Sequence, residues 1–181
     1  MTYKQLFIWV EGPEDERFVE KILKPCFQES YNKISVIKYS QKTSKFKKDF
    51  ISSIIAMGTK ADYFYLADID SFTCITTKKN KIKQEITNID TNKIIVVCKE
   101  IESWYYAGLD KVGFETLGIP KSTKYQNTDN LTKEQFNQSI PKKFDSRIIF
   151  LLEILNLYNL ENVIENKTNQ SLMYLINKHC Q

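Results

Sequence analysis

The sequence has few of the residues on which the commonest kinds of enzyme chemistry depend. Its 181 residues include a single histidine, His179, and four cysteines that form no C-x-x-C pair. A zinc site of the usual cysteine and histidine type is therefore not expected. Because His179 is the only histidine, hydrolase mechanisms built on a Ser–His or Cys–His pair are not expected either.

Long apolar runs and phosphate-binding glycine loops are also missing. No apolar stretch approaches the roughly 20 residues that a membrane-spanning helix needs, and residues 1–5 lack the apolar core of a signal peptide. We therefore expect a cytoplasmic protein with no membrane partner. The chain has no G-x-x-x-x-G-K-[ST] loop for nucleotide phosphates. Its 42% hydrophobic content, with 5 glycines and 4 prolines, is typical of a globular domain.

Three short apolar runs, each followed by acidic residues, are the most informative feature that is present. They are 6–10 before Glu11, 63–67 before Asp68 and Asp70, and 94–98 before Glu100 and Glu102. Runs of this length, rich in β-branched and aromatic residues, are typical of buried strands. Because ligands of parallel α/β sheets bind at the carboxyl ends of the strands, we expect these acids to meet at one edge.

Strand and helix patterns alternate through the first half of the chain. Strands are predicted at 5–10, 34–38, 62–67 and 94–98, and helices after the first strand and at 44–57 and 80–89, with a polar loop at 71–79. This alternation predicts an α/β fold with a four-stranded, mainly parallel sheet flanked by helices. The predicted core covers residues 1–110. Residues 111–181 are predicted to form a helical extension of the same domain, packed on the sheet.

Several side chains receive a specific packing prediction. Pro25 predicts that the first helix ends near Lys24, because the residue before a proline disfavours helical geometry. The helix at 44–57 is predicted to bury a stripe of Phe46, Phe50, Ile54 and Met57. A helix at 142–158 is predicted to be buried on several sides, since residues 148–152 are all apolar. The aromatic run 104–106 is assigned to the core rather than to base stacking.

The spacing of the acids suggests a site for a hard divalent cation. Asp68 and Asp70 are two residues apart, so on an extended segment both side chains point the same way. Carboxylates held close together repel one another unless a cation compensates, and Mg²⁺ and Mn²⁺ prefer oxygen ligands. Adding Glu11 and either Glu100 or Glu102 would allow a second ion. The alternative is that these acids are polar strand exits or helix caps.

Lysines form clusters on either side of the Asp68 and Asp70 stretch. Lys42, Lys45, Lys78 and Lys79 are the candidates for contacts with nucleic-acid phosphates, which would make binding strongly dependent on salt. The formal net charge of +4 is modest. An ordinary solvated surface therefore remains the alternative for each cluster.

Two motifs resemble the Toprim domain, which topoisomerases, bacterial primases, ribonuclease M5-type maturases and nucleases of the overcoming-lysogenization-defect group share. The first is V-E-G-P-E-D-E-R-F at 10–18, and the second is D-I-D at 68–70. A third run, E-I-E-S-W at 100–104, is similar to small bacterial Toprim-like families of the DUF4276 type. The resemblance covers roughly residues 5–108 and implies a Toprim or Rossmann-like sheet.

The resemblance also implies roles for individual residues. It assigns acid/base work or metal organisation to Glu11, and Mg²⁺ or Mn²⁺ binding to Asp68 and Asp70. Glu100 and Glu102 match the narrower families and become further candidate metal ligands. Phe72 stands where the longer Asp-x-Asp-x-acid motif has its third acid, and no long gate region follows. Topoisomerase and replicative primase activities are therefore not expected.

Three functions are compatible with the sequence. The leading hypothesis is a Mg²⁺- or Mn²⁺-dependent nuclease acting on DNA or RNA, and the resemblance implies a role in defence against mobile elements. The second is a non-catalytic Toprim-like module that partners an ATPase. The third, nucleotidyl transfer, would use the same acids.

Overall fold

The structure, a computed structural model, describes residues 3–120 and 127–180. The first six positions of the polar loop predicted at 121–130 lie outside the described residues. The described residues divide into two compact units. One comprises residues 3–97 and Cys180, and the other comprises residues 98–120 and 127–179. We call them the sheet unit and the helical unit. The prediction of one domain with a boundary near residue 110 stays a prediction.

The sheet unit contains four parallel strands, β1 (Gln5–Val10), β2 (Lys33–Lys38), β3 (Ala61–Asp68) and β4 (Ile94–Val97). Their order across the sheet is β2-β1-β3-β4. The predicted fold class is confirmed, since the sheet is entirely parallel and is flanked by helices, and a helical region follows it. Each strand lies within one or two residues of its predicted position because the apolar runs end at turn or charged residues.

Helices cover both faces of this sheet. After β1, α1 (Pro13–Phe18), a π-helical turn (Val19–Leu23) and α2 (Lys24–Phe27) follow without a break. The Phe27 ring packs on Phe64 of β3 with 5.6 Å between centroids. On the other face, Trp9 and Tyr65 share a core with residues of α3 (Ser44–Ala56) and α4 (Ile75–Glu85). Alternate residues of β3 therefore face opposite helical layers.

The strand order creates a switch point between β1 and β3. The connection that leaves β1 leads to β2 on one side, and the connection that leaves β3 leads to β4 on the other. Ligands of open parallel sheets bind in the crevice at the carboxyl ends of two such strands. In this chain, Glu11 follows one of them and Asp68 ends the other.

Two predictions about helix boundaries in the sheet unit are wrong. The helix predicted at 80–89 spans Ile75–Glu85, so part of the predicted loop at 71–79 is helical. The chain also stays helical past Pro25. A proline ring normally clashes with the carbonyl four residues earlier. Here the preceding turn is π-helical, with Lys24 N–H donating to the Val19 carbonyl five residues earlier, so the chain has already left the i to i−4 pattern where Pro25 enters it.

The helical unit consists of short helices that mostly begin at a side-chain cap. They are α5 (Glu102–Ala107), α6 (Lys111–Leu117), α7 (Lys133–Gln138), α8 (Arg147–Asn156), α9 (Leu160–Asn166) and α10 (Gln170–His179). Ser146 caps α8 by accepting from Ile149 N–H at 3.3 Å, so this helix starts later than predicted. The sequence did not predict α9, whose cap is Asn159.

The core of the helical unit is aromatic. Trp104, Tyr105 and Tyr106 are at most 1% exposed, so the prediction that they are core residues is confirmed. The prediction for residues 148–152 is only half right. Phe150 and Leu151 are fully buried, whereas Ile148, Ile149 and Leu152 are 44–49% exposed, so one apolar face of α8 is only partly covered by the described residues.

A buried polar network joins the loops of the helical unit around Asn169. This fully buried amide donates to Ser103 Oγ at 3.2 Å and to Thr128 Oγ1 at 3.0 Å. Its oxygen accepts from Ser171 Oγ at 2.8 Å and from Leu172 N–H at 3.0 Å. All of the hydrogen-bonding capacity of the amide is used, which a buried polar group requires.

The sequence predicts no membrane-spanning segment, which can be compared with the length and hydropathy of the helices. Across 3–120 and 127–180, no helix combines the length and the apolar character required to span a bilayer.

Candidate functional site

Glu11 and Asp68 lie at the carboxyl ends of the two strands that flank the switch point. β1 and β3 are paired from Gln5 with Ala61 to Trp9 with Tyr65. Continuing that register places Glu11 beside residue 67, one position from Asp68, on strands about 4.8 Å apart. Glu11 is exposed and Asp68 is half-buried. The predicted pairing of the first two acid motifs at one sheet edge is therefore compatible with the observed register.

Tyr39, which sequence analysis did not single out, spans this switch point. Its backbone N–H donates to the Val10 carbonyl at 2.9 Å, and its hydroxyl donates to the Leu66 carbonyl at 2.9 Å. Burial raises the pKa of Tyr39 well above its ordinary value, and the charges of nearby acids, Glu11 and Asp68 among them, raise it further. Glu11 and Asp68 therefore both contribute to the electrostatic surroundings of the Tyr39 hydroxyl.

Asp15 is a third carboxylate that raises the pKa of Tyr39. It lies in the first turn of α1, is 7% exposed, and accepts from Gly12 N–H at 3.1 Å. The only sign of Asp15 in the sequence is its spacing, four residues after Glu11. Acids are common in a first helical turn because the helix dipole favours negative charge there. The sequence therefore does not distinguish Asp15 from its neighbours Glu14 and Glu16.

Asp70 differs from Asp68 in its surroundings. It has a left-handed backbone with φ +52°, a conformation that aspartate tolerates better than most residues. Its side chain is 56% exposed and forms an ion pair with Lys78, whose side chain is 11% exposed. The Lys78 ammonium also lies 5.3 Å from the centroid of the Phe72 ring. Asp70 is thus held at the edge by a cation from α4.

Glu100 and Glu102 belong to the helical unit, where each has a structural partner. Glu100 Oε2 accepts from Lys133 N–H at 2.5 Å, at the start of α7. Glu102 is 2% exposed and forms an ion pair of 2.5 Å with Arg147 Nη2. Burial raises the pKa of Glu102, although Arg147 and Lys133 oppose that effect. The predicted role of these two acids as metal ligands stays a prediction.

The predicted nucleic-acid lysines have different surroundings. Lys42 and Lys45 are exposed near the start of α3, and the Lys42 ammonium lies 5.4 Å from the Phe46 ring centroid. Lys78 is held by Asp70, and Lys79 donates to the Thr91 carbonyl at 3.0 Å. Lys47, which was not among the four candidates, lies over the Tyr39 ring at 5.1 Å. A positive charge is therefore held beside Tyr39.

The donor chemistry of this edge suits a hard cation. In the described residues, no three His, Cys, Asp or Glu side chains are grouped closely enough to form a metal site by themselves. Mg²⁺ commonly takes only one or two protein carboxylates and completes its shell with water and phosphate oxygens. An edge that offers Glu11, Asp15 and Asp68 has oxygen ligands of the kind that Mg²⁺ and Mn²⁺ prefer. We call Glu11, Asp15, Asp68 and Asp70 the carboxylate edge.

Comparison of the chain with family models, curated proteins and solved structures yields no match. The Toprim resemblance therefore stays a prediction that depends on the motifs themselves.

Proposed function

We propose that the protein is a Mg²⁺- or Mn²⁺-dependent enzyme that cleaves phosphodiester bonds in nucleic acid. The observation that carries this proposal is the position of the carboxylate edge at the switch point between β1 and β3. The motifs that resemble the Toprim domain support the same assignment, because the residues that match its glutamate and its Asp-x-Asp all belong to this edge.

The proposed chemistry divides the work between the ion and the chain. A bound divalent ion would polarise the scissile phosphate and lower the pKa of an attacking water. Asp68 and Asp70 would hold the ion, with Asp15 as a further oxygen ligand. Glu11, which is exposed at the end of β1, would accept the proton of the water. The exposed Lys42 and Lys45 would neutralise backbone phosphates. Lys78 and Lys79 would do so only by giving up their contacts with Asp70 and the Thr91 carbonyl.

The first experiment is thermal melting with and without Mn²⁺, performed on the wild type and on Asp68→Asn. A ligand at 100 times its dissociation constant stabilises a protein by about 2.7 kcal/mol, which corresponds to about 5–10 °C for a chain of this length. We expect this shift in the wild type and its loss in Asp68→Asn, because the amide removes a negative ligand. Mn²⁺-dependent cleavage of labelled DNA and RNA should disappear with it.

A matched control exists on the same strand. Asp62 lies near the start of β3, at the opposite edge of the sheet, and pairs with Lys93 at 2.9 Å. Asp62→Asn should retain both the Mn²⁺ shift and the cleavage. Equal loss in the two variants would mean that the effect is not specific to the carboxylate edge. Cleavage that survives in Asp68→Asn would refute the assignment.

A non-catalytic module that partners an ATPase is the second candidate, and the exposed apolar face of α8 favours it. Ile148, Ile149 and Leu152 form a patch of the kind that often mediates protein contacts. We expect an ATPase to copurify in stoichiometric amount with the wild type and not with Leu152→Asp. Val112→Asp, which makes the same change at an apolar residue of α6 that is 66% exposed, is the control.

A further inference from the structure

An exposed aromatic ring lies among lysines at the start of α3. The amphipathic pattern predicts that Phe46 is buried, but its side chain is 41% exposed, so that prediction is wrong. The ring is fixed from beneath, with centroid distances of 6.4 Å to Trp9 and 5.8 Å to Phe50. Trp9 is itself fully buried. Phe46 therefore presents part of a rigid aromatic surface to solvent.

The residues around this ring are strongly positive. Segment 42–48 contains four lysines, at 42, 45, 47 and 48, and no acid. Lys42, Lys45 and Lys48 are exposed, and the Lys42 ammonium lies 5.4 Å from the Phe46 ring centroid. An exposed aromatic ring with lysines around it offers two kinds of contact, stacking for a flat ligand and charge for an anionic one. Unpaired nucleotides supply both.

The patch is also connected to the carboxylate edge. Lys47 lies over the Tyr39 ring at 5.1 Å, and the carboxylates of Glu11, Asp15 and Asp68 act on the Tyr39 hydroxyl. A second pair of the same kind, Phe72 with Lys78, follows β3 at that edge. The segments that follow β2 and β3 thus each offer an aromatic ring with a lysine beside it.

We propose that segment 42–48 binds a single-stranded nucleic acid beside the carboxylate edge, with the Phe46 ring as the stacking platform for one base. The inference deepens the proposed function and rests on it for the identity of the ligand. In a duplex the base faces are stacked on one another, so they are not available to Phe46. The lysines would bind a backbone of either form. Single strands are therefore the substrate class that this patch favours.

The test is metal-free binding, measured by fluorescence anisotropy with labelled oligo-dT, oligo-rU and a duplex of about 12 nucleotides or base pairs. Phe46→Ala should weaken the binding of both single strands about tenfold, because stacking on one ring is lost. Its effect on duplex binding should be less than about twofold. The salt dependence of the remaining binding should not change, since no charge is removed. Phe46→Trp should retain the wild-type affinity.

Two further variants separate stacking from charge and from general damage to α3. Lys45→Gln should reduce the slope of log affinity against log salt by about 0.7, because one phosphate contact is lost. Ile55→Ala truncates another exposed apolar residue of the same helix, 47% exposed, and should leave binding unchanged.

Three results would overturn the inference. They are equal effects of Phe46→Ala and Ile55→Ala, equal losses of single-strand and duplex binding in Phe46→Ala, and a Phe46→Trp variant as weak as Phe46→Ala. Because these measurements need no metal and no cleavage, they remain informative if the protein proves not to be a nuclease. If cleavage depends on Asp68 but not on Phe46, the proposed nuclease function is supported, and the inference that its substrate is single-stranded is refuted.

Discussion

Each unit contains two acids that are two residues apart and follow a strand, Asp68 and Asp70 in the sheet unit and Glu100 and Glu102 in the helical unit. The second acid of each pair differs in its exposure to solvent. In the sheet unit, Asp70 is 56% exposed and pairs with one lysine. In the helical unit, Glu102 is 2% exposed and is neutralised by Arg147. The residues that follow account for the difference, because Asp70 is followed by the short, mostly exposed loop 71–74, whereas Glu102 opens a helix of buried aromatic residues.

The difference in exposure separates a carboxylate that is needed for the stability of the fold, Glu102, from one that can still bind a ligand, Asp70. A buried carboxylate must have a partner, since an unpaired charge in a low-dielectric interior is very costly. An exposed carboxylate keeps its water and can exchange it for an ion or a ligand. We therefore expect changes in the polar residues of the helical unit to affect stability, and changes in the exposed acids of the carboxylate edge, Glu11 and Asp70, to affect function.

The largest effect on stability should come from removing the partner of Glu102. Arg147→Met should lower the free energy of unfolding of the helical unit by about 3–5 kcal/mol, because it leaves a buried carboxylate uncompensated. Urea unfolding can be followed through Trp104, the only tryptophan of the helical unit, in a Trp9→Phe background. The loss should shrink at acid pH, where Glu102 takes up a proton.

Lys133→Met is the control, because Lys133 Nζ is 4.0 Å from Glu102 and its side chain is 52% exposed. It should cost less than about 1 kcal/mol. Equal losses in the two variants would show that the Arg147 pair has no special role.

A smaller loss is expected when the buried amide of the helical unit is removed. Asn169→Ala deprives Ser103, Thr128 and Ser171 of a shared partner and removes the acceptor for Leu172 N–H. We expect a loss of about 2–3 kcal/mol in the free energy of unfolding. Faster exchange of the amide hydrogens at the start of α10 would locate the effect. Stability within about 0.5 kcal/mol of the wild type would contradict the importance given to this network.

Breaking the ion pair between Lys78 and Asp70 should lower the free energy of unfolding much less. Lys78→Met keeps most of the buried stem of the side chain, and the Asp70 charge that it leaves behind is solvated. The free energy of unfolding should therefore fall by less than about 1 kcal/mol. A loss as large as that of Arg147→Met would mean that the exposed acid is as dependent on its partner as the buried one.

The smallest effect concerns the pH dependence of stability. Burial raises the pKa of Glu102 above its value in the unfolded chain. Between the two pKa values the folded state holds a proton that the unfolded state has released, so this group lowers stability as pH rises through that window. Glu102→Gln should remove this contribution. The difference in unfolding free energy between wild type and Glu102→Gln, measured across the acid range, should therefore fall with rising pH, whereas a rising difference would contradict the assigned shift.

The sheet was predictable because short-range patterns determine it. Apolar runs with the period of a strand, each ended by charge or a turn, located β1 to β4 within one or two residues. The surroundings of the acids were not predictable in the same way. Whether a carboxylate such as Glu102 is buried depends on Arg147, 45 residues later, and no local pattern links the two.

The sequence also did not predict those residues of the candidate site whose position depends on tertiary contacts. Tyr39 became part of the site only through its bonds to Val10 and Leu66 on two strands, and Asp15 only through its burial. Phe46 shows the converse error. The helical period predicted a buried stripe of Phe46, Phe50, Ile54 and Met57. Ile54 is buried as predicted, together with Ile51, but Phe46 and Met57 are 41% and 43% exposed.

The order of the units along the chain has a consequence in time. All four strands, and every member of the carboxylate edge, lie within the first 97 residues. At about 5–20 residues per second, a ribosome needs several more seconds to synthesise residues 98–179. The central strand β1 can therefore pair with β2 and β3 while the helical unit is still being made. We expect the acids at the switch point to be gathered on the nascent chain before Arg147, the partner of Glu102, has been added.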